Sequence, residues 1–189
     1  MLKKFVRTMA YIGGIVTGFY LFASAPGIHK KKKWQHLTGW DYAHRGLYDN
    51  EHGIPENSMA AFRRAVDKGY GIELDVHLTA DNQLVVFHDD TLTRMCGMNK
   101  KISSFLYSDL MQLRLLGTEE GIPLFKDVLE LIDGKVPLII ELKVDGSNQN
   151  LLCPLVWQLL SRYKGDYCIE SFHPFVLQWF KRHEPQVVR

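Results

Sequence analysis

Short apolar runs alternate with amphipathic stretches after Trp34, and this alternation narrows the possible folds more than any other feature. The apolar runs have the length of β-strands, and the stretches between them carry apolar residues at helical spacing. Repeated β-then-α units predict an α/β fold with a mainly parallel sheet, either closed into a barrel or doubly wound. The predicted strands are 40–46, 71–78, 84–89, 137–143 and 167–172, and the main helices are 58–68, 125–132, 151–160 and one that begins at Pro174.

The composition is that of one globular domain. Of the 189 residues, 46% are hydrophobic and 23% are charged. Much of the small net charge of +2 comes from the run His29–Lys33, so nothing indicates a nucleic-acid-binding surface. Cys96, Cys153 and Cys168 are far apart and lack the paired spacing of a zinc site, so we interpret them as packing residues.

A long apolar segment at 8–28 carries no charged residue and lies between two basic flanks. At about 1.5 Å per residue, it is long enough to span a hydrocarbon core of roughly 30 Å. We therefore predict a single-pass membrane anchor with its basic flank at 1–33, followed by a globular domain at 34–189. The alternatives are a signal peptide cleaved near Ala23–Ala25 and a buried helix, and the two basic flanks leave the orientation open.

Acidic side chains occur within two of the predicted strands. Glu73 and Asp75 are two residues apart, so their carboxylates point to the same side of a strand. Glu141 lies in the apolar run "PLIIELK", where a carboxylate needs a partner. Together the three form an oxygen-rich cluster that suits Mg²⁺ or Ca²⁺ better than zinc. The alternatives are a solvent-facing polar edge for Glu73 and Asp75, and an ion pair between Glu141 and Lys143.

Ionisable residues also end the other predicted strands, and the carboxyl ends of parallel strands meet at one edge of a sheet. His44 and Arg45 end the first strand, and His88 ends the third. The two histidines are suited to proton transfer near neutral pH, and the planar guanidinium of Arg45 is suited to hold phosphate. These residues predict a metal-assisted reaction on an anionic, phosphorylated substrate. Further candidates at this edge are Glu170, His77 and His173, of which the two histidines can support the site without binding the metal.

From about Tyr42 onward the chain resembles the glycerophosphodiester phosphodiesterases. The similarity lies in "AHRG…PENSMAAFRRAVDKGYGIELDVHLTADNQLVVFHDDTLTR", in "IPLFKDVLELI…PLIIELK" and in "IESFHP". It implies a TIM barrel of the phosphatidylinositol-phospholipase-C-like superfamily. It also implies an enzyme that hydrolyses small glycerophosphodiesters to glycerol 3-phosphate and an alcohol. The resemblance also implies that His44 and His88 are the acid/base pair, that Arg45 and Lys143 contact phosphate, and that Glu73, Asp75 and Glu141 bind a divalent metal ion, Mg²⁺ or Ca²⁺.

The length of the chain limits this fold. A TIM barrel typically needs about 250 residues, whereas the residues after 33 supply about five core strands, with "QVVR" (186–189) as the opening of a sixth. We therefore expect an incomplete barrel from a truncated member of the family. The alternatives to glycerophosphodiester hydrolysis are a phospholipase D-like activity on lysophospholipids or phospholipids, and an inactive, membrane-tethered remnant.

Overall fold

The computed structural model describes residues 35–189, together with Gly14, Thr17 and Gly18 of the segment before them. The predicted anchor and basic flank at 1–33 lie outside the described residues, apart from those three positions. Among the residues that the structure describes, no helix is both long and apolar enough to cross a bilayer.

A five-stranded sheet forms the centre of the described region. Its strands are β1 (Tyr42–His44), β2 (Gly71–Leu78), β3 (Leu84–Val86), β4 (Leu138–Leu142) and β5 (Tyr167–Glu170). The order β1-β2-β4-β5 is parallel throughout, which confirms the mainly parallel sheet that the sequence predicts. Strands β2 and β4 are largely buried, as expected when helices cover both faces of a parallel sheet.

Strand β3 is antiparallel to β2, so the expectation that His88 ends a parallel strand is wrong. Val86 pairs with Val76, and Leu84 pairs with Leu78. The cause is the short connection after Leu78, since a crossover to a parallel strand needs a dozen or more residues. His88 therefore approaches the site from the opposite direction, as the chain runs back beside β2 and the amide of Phe87 donates to the carbonyl of Asp75 (3.0 Å).

Helices connect and cover the parallel strands. They are α1 (Met59–Lys68), α2 (Thr93–Cys96), α3 (Tyr107–Leu110), α4 (Phe125–Ile132), α5 (Gln149–Leu160) and α6 (Pro174–His183), with 3₁₀ turns at Asn50–His52, Ile102–Ser104 and Leu115–Gly117. Ser58 caps α1, because its hydroxyl accepts a hydrogen bond from the amide of Ala61 (3.1 Å). The helix ends at Gly69, whose φ of 71° is in the left-handed region. Each of the longer helices that the sequence predicts after residue 33 is present.

The apolar core has two parts. The larger part lies between the sheet and the long helices and includes Phe62, Phe125 and Ile140. The smaller part includes Phe87, Leu92 and Ile102 of the segment after β3, together with Val85 of β3 itself. That segment, 87–124, therefore has apolar packing of its own, which holds the loop containing His88 against the edge of the sheet.

Strand β5 has a further neighbour close to the end of the chain. The amide of Ile169 donates to the carbonyl of Val188 (2.8 Å), and Cys168 forms a parallel bridge with Val188. This pairing agrees with the predicted opening of a sixth strand at 186–189. Within the described residues the sheet is open, with β1 and β5 at the two ends of the main strand order.

The cysteines are free thiols that contribute to packing. Cys153 is buried in the main core, and burial raises its pKa to about 12. Burial likewise raises the pKa of Cys168 to about 12 and that of Cys96 to about 11. A thiol must lose its proton to act as a nucleophile, so these residues are unreactive near neutral pH.

Candidate active site

Three carboxylates come together on two neighbouring strands. Glu73 and Asp75 project from the same side of β2, and strand pairing places Glu141 of β4 directly beside Asp75. One oxygen atom from each carboxylate lies within 4.8 Å of the others. Asp75 and Glu141 are buried, whereas Glu73 is partly exposed. A set of three oxygen donors at this spacing fits a hard divalent cation such as Mg²⁺ or Ca²⁺.

The three carboxylates repel one another. Burial raises the pKa of Glu73 to about 7, and the charges of Asp75 and Glu141 add to the effect. Burial also raises the pKa of Glu141, against the opposing influence of Lys143. Like charges at this distance in a poorly solvated site favour either protonation or a bound positive charge. The cluster is therefore suited to accept a metal ion.

Lys143 supplies one positive charge to this cluster. Its ammonium nitrogen lies 2.7 Å from Glu141 Oε2 and 3.0 Å from Asp75 Oδ1. The ion pair with Glu141, considered above as an alternative to metal binding, is thus present in the structure. One ammonium balances one of the three carboxylates. Even with the guanidinium of Arg45 near Asp75, the ionised cluster keeps negative charge for a metal ion to balance.

A tight turn after β1 presents His44 and Arg45. Arg45 and Gly46 both have left-handed backbones, with φ of 58° and 78°. A Cβ atom on Gly46 would lie 2.9 Å from the Cβ of Ala61, so only glycine lets α1 pack this closely on the turn. In this conformation the backbone amide of Arg45 donates to Glu73 Oε2 (2.9 Å). His44 Nε2 lies 3.8 Å from the same oxygen, and its side chain is 66% exposed and accessible to a substrate.

The guanidinium of Arg45 lies between two acidic groups. Its Nη1 donates to Glu56 Oε1 (2.8 Å), and its Nε lies 3.8 Å from Asp75 Oδ2. The side chain is only 18% exposed, so its position is largely fixed. Arg45 therefore adds a second positive charge beside the carboxylate cluster, close to Lys143, which also contacts Asp75.

His88 lies on the chain that returns beside β2. Its Nδ1 is 2.7 Å from Asp89 Oδ1, and its carbonyl oxygen is 3.2 Å from Nε2 of the buried His77. Since a carboxylate only accepts hydrogen bonds, His88 Nδ1 donates to Asp89 and Nε2 is left for other partners. Burial lowers the pKa of His77, which favours a neutral ring in this supporting position.

Four residues at this site were not predicted from the sequence. The side-chain amide of Asn57 donates to Asp75 Oδ2 (2.9 Å). Arg94 bridges Glu56 and Asp89 through four hydrogen bonds. Asn57 and Glu56 lie in the "PENS" loop, and Asp89 and Arg94 lie in "HDDTLTR". Both stretches are part of the family resemblance, which is the sequence signal that could have identified these four residues.

Two other candidates lie at the margin of the site. Glu170 is opposite Glu141 in the β4–β5 register, yet it is exposed and is not one of the three clustered carboxylates. His173, just before α6, lines a pocket of about 280 Å³ together with Glu141, Lys143 and Phe172. This pocket offers space for a small ligand directly beside the cluster.

Ionisable groups gathered at one edge of a mainly parallel α/β sheet are the arrangement typical of α/β enzymes. The chain belongs to the glycerophosphoryl diester phosphodiesterase family, whose sequence model matches residues 44–186. This match confirms the family resemblance.

Curated relatives cover most of this chain. Lysophospholipase D GDPD1 from Rattus norvegicus is 34% identical over 173 residues, which are 84% of this chain and 52% of the relative. A glycerophosphodiester phosphodiesterase from Caldanaerobacter subterraneus is 34% identical over 161 residues, which are 77% of this chain and 63% of the relative. The chain thus spans between half and two thirds of the length of these relatives.

Solved structures share the fold. An Oleispira antarctica phosphodiesterase in complex with the product sn-glycerol-3-phosphate superposes with a TM-score of 0.73 and 26% identity, covering 80% of this chain and 64% of the other. A glycerophosphodiester phosphodiesterase from Parabacteroides distasonis superposes with a TM-score of 0.68 and 33% identity, covering 78% of this chain and 62% of the other. The α/β architecture predicted from the sequence therefore matches that of known phosphodiesterases of this family.

Proposed function

We propose that this protein hydrolyses glycerophosphodiesters to glycerol 3-phosphate and an alcohol, with the help of a divalent metal ion. The observation that carries the proposal is the convergence of Glu73, Asp75 and Glu141 with Arg45 and Lys143 at one edge of the sheet. Family membership supports the same reaction, and the Oleispira relative is described with sn-glycerol-3-phosphate bound as its product.

The three carboxylates would hold the metal ion. When bound, such an ion polarises a phosphoryl oxygen and offsets the negative charge that develops during reaction at phosphorus. Mg²⁺ and Ca²⁺ both suit the all-oxygen ligand set. Arg45 and Lys143 would bind the remaining phosphate oxygens, since both carry positive charge beside the cluster.

His44 and His88 would transfer protons. One histidine would accept the proton of a glycerol hydroxyl group that attacks phosphorus, and the other would donate a proton to the oxygen of the leaving alcohol. Water would then open the resulting cyclic phosphate to glycerol 3-phosphate, with the two proton transfers reversed. His88 would act through Nε2, because its Nδ1 is engaged by Asp89. His44 presents an exposed ring beside Glu73 and is accessible to a substrate that binds at the cluster.

Release of glycerol 3-phosphate by the full chain tests this proposal. Glycerophosphocholine and glycerophosphoethanolamine would be supplied with Mg²⁺, with Ca²⁺ and with a chelator. We expect metal-dependent release that is lost in His44→Ala and retained in His52→Ala, a matched control at an exposed histidine paired with Asp49. A folded chain that releases no product from either substrate would contradict the proposal and favour the inactive remnant.

A second candidate is a phospholipase D-like activity on lysophospholipids. The rat relative is named for such an activity, and Phe172 at the pocket beside Lys143 is 81% exposed. An acyl chain would give this large apolar side chain a partner. Under this alternative, Phe172→Ser lowers turnover of lysophosphatidylcholine but not of glycerophosphocholine, whereas Met111→Ser at another exposed apolar position changes neither.

We also propose that the segment at 1–33 anchors the domain at 34–189 to a membrane. The support is the uncharged apolar run at 8–28 with its basic flanks. We expect the full chain to remain with the membrane fraction after carbonate extraction. The double variant Phe19→Lys and Leu21→Lys should release it, and retention of that variant would argue against an anchor.

A further inference from the structure

Arg94 joins two parts of the candidate active site that are distant in sequence. Its Nε and Nη2 donate to Asp89 Oδ2 (2.8 Å) and Oδ1 (2.9 Å). Its Nη1 and Nη2 donate to Glu56 Oε2 (2.9 Å) and Oε1 (2.7 Å). Arg94 thus makes a pair of hydrogen bonds to each of two carboxylates, one of which is 38 residues away.

Each of these carboxylates contacts a proposed active-site residue. Glu56 Oε1 accepts a hydrogen bond from Arg45 Nη1 (2.8 Å), and Asp89 Oδ1 accepts one from His88 Nδ1 (2.7 Å). An unbroken chain of polar contacts therefore runs from Arg45 through Glu56, Arg94 and Asp89 to His88. The charges of Arg45, Glu56, Arg94 and Asp89 alternate in sign, so adjacent members of these four attract each other.

The electrostatics of this series of contacts favour the charged forms of Glu56 and Asp89. Arg94 lowers the pKa of Asp89 to about 2 through its hydrogen bonds. Burial alone would raise the pKa of Glu56, but the hydrogen bonds from Arg94 and Arg45 outweigh it and lower that pKa. Glu56 is only 6% exposed, so it depends on these two guanidinium groups for its charge balance.

We propose that Arg94 is a positioning residue that fixes His88 and Arg45 relative to each other by bridging Asp89 and Glu56. With Asp89 held by Arg94, His88 keeps its proton on Nδ1 and presents Nε2 to the substrate. With Glu56 held by Arg94, the guanidinium of Arg45 stays beside Asp75. The catalytic meaning of this role rests on the function proposed above, whereas the positioning itself does not.

The chemistry of the bridge requires arginine. A guanidinium has several N–H donors in a rigid planar fork, so it can form paired hydrogen bonds with two carboxylates at once. Lysine keeps the positive charge but offers a single nitrogen on a flexible stem. Arg94→Lys should therefore preserve part of the effect, while Arg94→Met removes it and retains much of the apolar stem.

The protonation state of the His88 ring gives a test that does not depend on activity. We would record long-range ¹⁵N–¹H spectra of the histidine rings in the full chain and assign His88 with His88→Gln. We expect the Nδ1–H form in the wild type, a majority of the Nε2–H form in Arg94→Met and a mixture in Arg94→Lys. The control is Arg64→Met, which breaks a partly exposed pair with Asp49 and should leave the spectrum unchanged. An unchanged His88 signal in both Arg94 variants would overturn the proposal.

Kinetics of the same variants give the second readout. We expect kcat for glycerophosphocholine to fall roughly 10-fold to 100-fold in Arg94→Met, with a smaller loss in Arg94→Lys. A lower melting temperature with unchanged kcat would show a merely structural role and would overturn the proposal. If the wild type releases no product but the His88 signal still responds to Arg94, the proposed function fails and the positioning role stands.

Discussion

The candidate site has two halves that are built in different ways. Glu73, Asp75 and Glu141 stand on adjacent strands, whose backbone pairing fixes the distance between their side chains. His88 and Arg94 instead stand on the segment after β3, where side-chain hydrogen bonds and the small apolar cluster hold them. A strand positions a side chain wherever the sheet forms, whereas hydrogen bonds to Asp89 orient the side chains of His88 and Arg94 within this segment. Substitutions in the two halves should therefore differ in their effects on activity and stability.

The largest expected effect is the loss of activity in Glu141→Gln. The amide keeps the size of the side chain but removes a negative charge from the proposed metal site. We expect kcat/KM for glycerophosphocholine to fall roughly 100-fold to 1,000-fold, while the sheet still folds. Steady-state rates at saturating Mg²⁺, together with far-ultraviolet circular dichroism, check both parts.

Glu170→Gln is the matched control, because Glu170 lies opposite Glu141 on the next strand but is exposed. We expect less than a threefold change in its rate. Equal losses in the two variants would mean that the sheet edge as a whole, rather than the three-carboxylate cluster, carries the activity.

The next effect is a loss of stability in Gly46→Ala. The added methyl group would combine left-handed backbone strain with a 2.9 Å approach to Ala61, so we expect a cost of about 2 to 4 kcal/mol in the free energy of unfolding. Gly97, in the segment after β3, also has a left-handed backbone, but a methyl group added there would have no atom within 4 Å. For Gly97→Ala we therefore expect a loss of about 1 kcal/mol in the free energy of unfolding. Urea unfolding of both variants measures the difference, and equal costs would contradict the close packing at Gly46.

The smallest effect is a change in acid stability in Asp89→Asn. The folded pKa of Asp89 is about 2, below its ordinary value of 3.8, because Arg94 and His88 hydrogen-bond to the ionised form. Its contribution to stability is therefore complete above about pH 4 and is lost as the pH falls toward 2. We expect Asp89→Asn to be less stable than the wild type at pH 6 and closer to it at pH 2.5. Melting temperatures across this range show whether the difference between the two proteins shrinks as the pH falls. Asp67→Asn, at an exposed position, is the control.

The sequence predicted the sheet half of the site better than the other half. The two-residue spacing of Glu73 and Asp75 and the apolar run around Glu141 are local patterns, and strand pairing alone brings them together. The predicted direction of β3 was wrong, because the connection after Leu78 is too short for the crossover that the β-then-α pattern implies. The bridge between Glu56 and Arg94 spans 38 residues, and no local periodicity reports a contact between two loops.

Isothermal titration calorimetry would show whether the register of β2 and β4 creates a divalent-cation site. Mg²⁺ and Ca²⁺ would be titrated into the metal-stripped full chain and into Asp75→Asn, which alters the most buried of the three carboxylates. We expect one bound ion in the wild type and at least about a tenfold weaker affinity in the variant. No binding to the folded wild type, or equal binding to both proteins, would contradict this expectation.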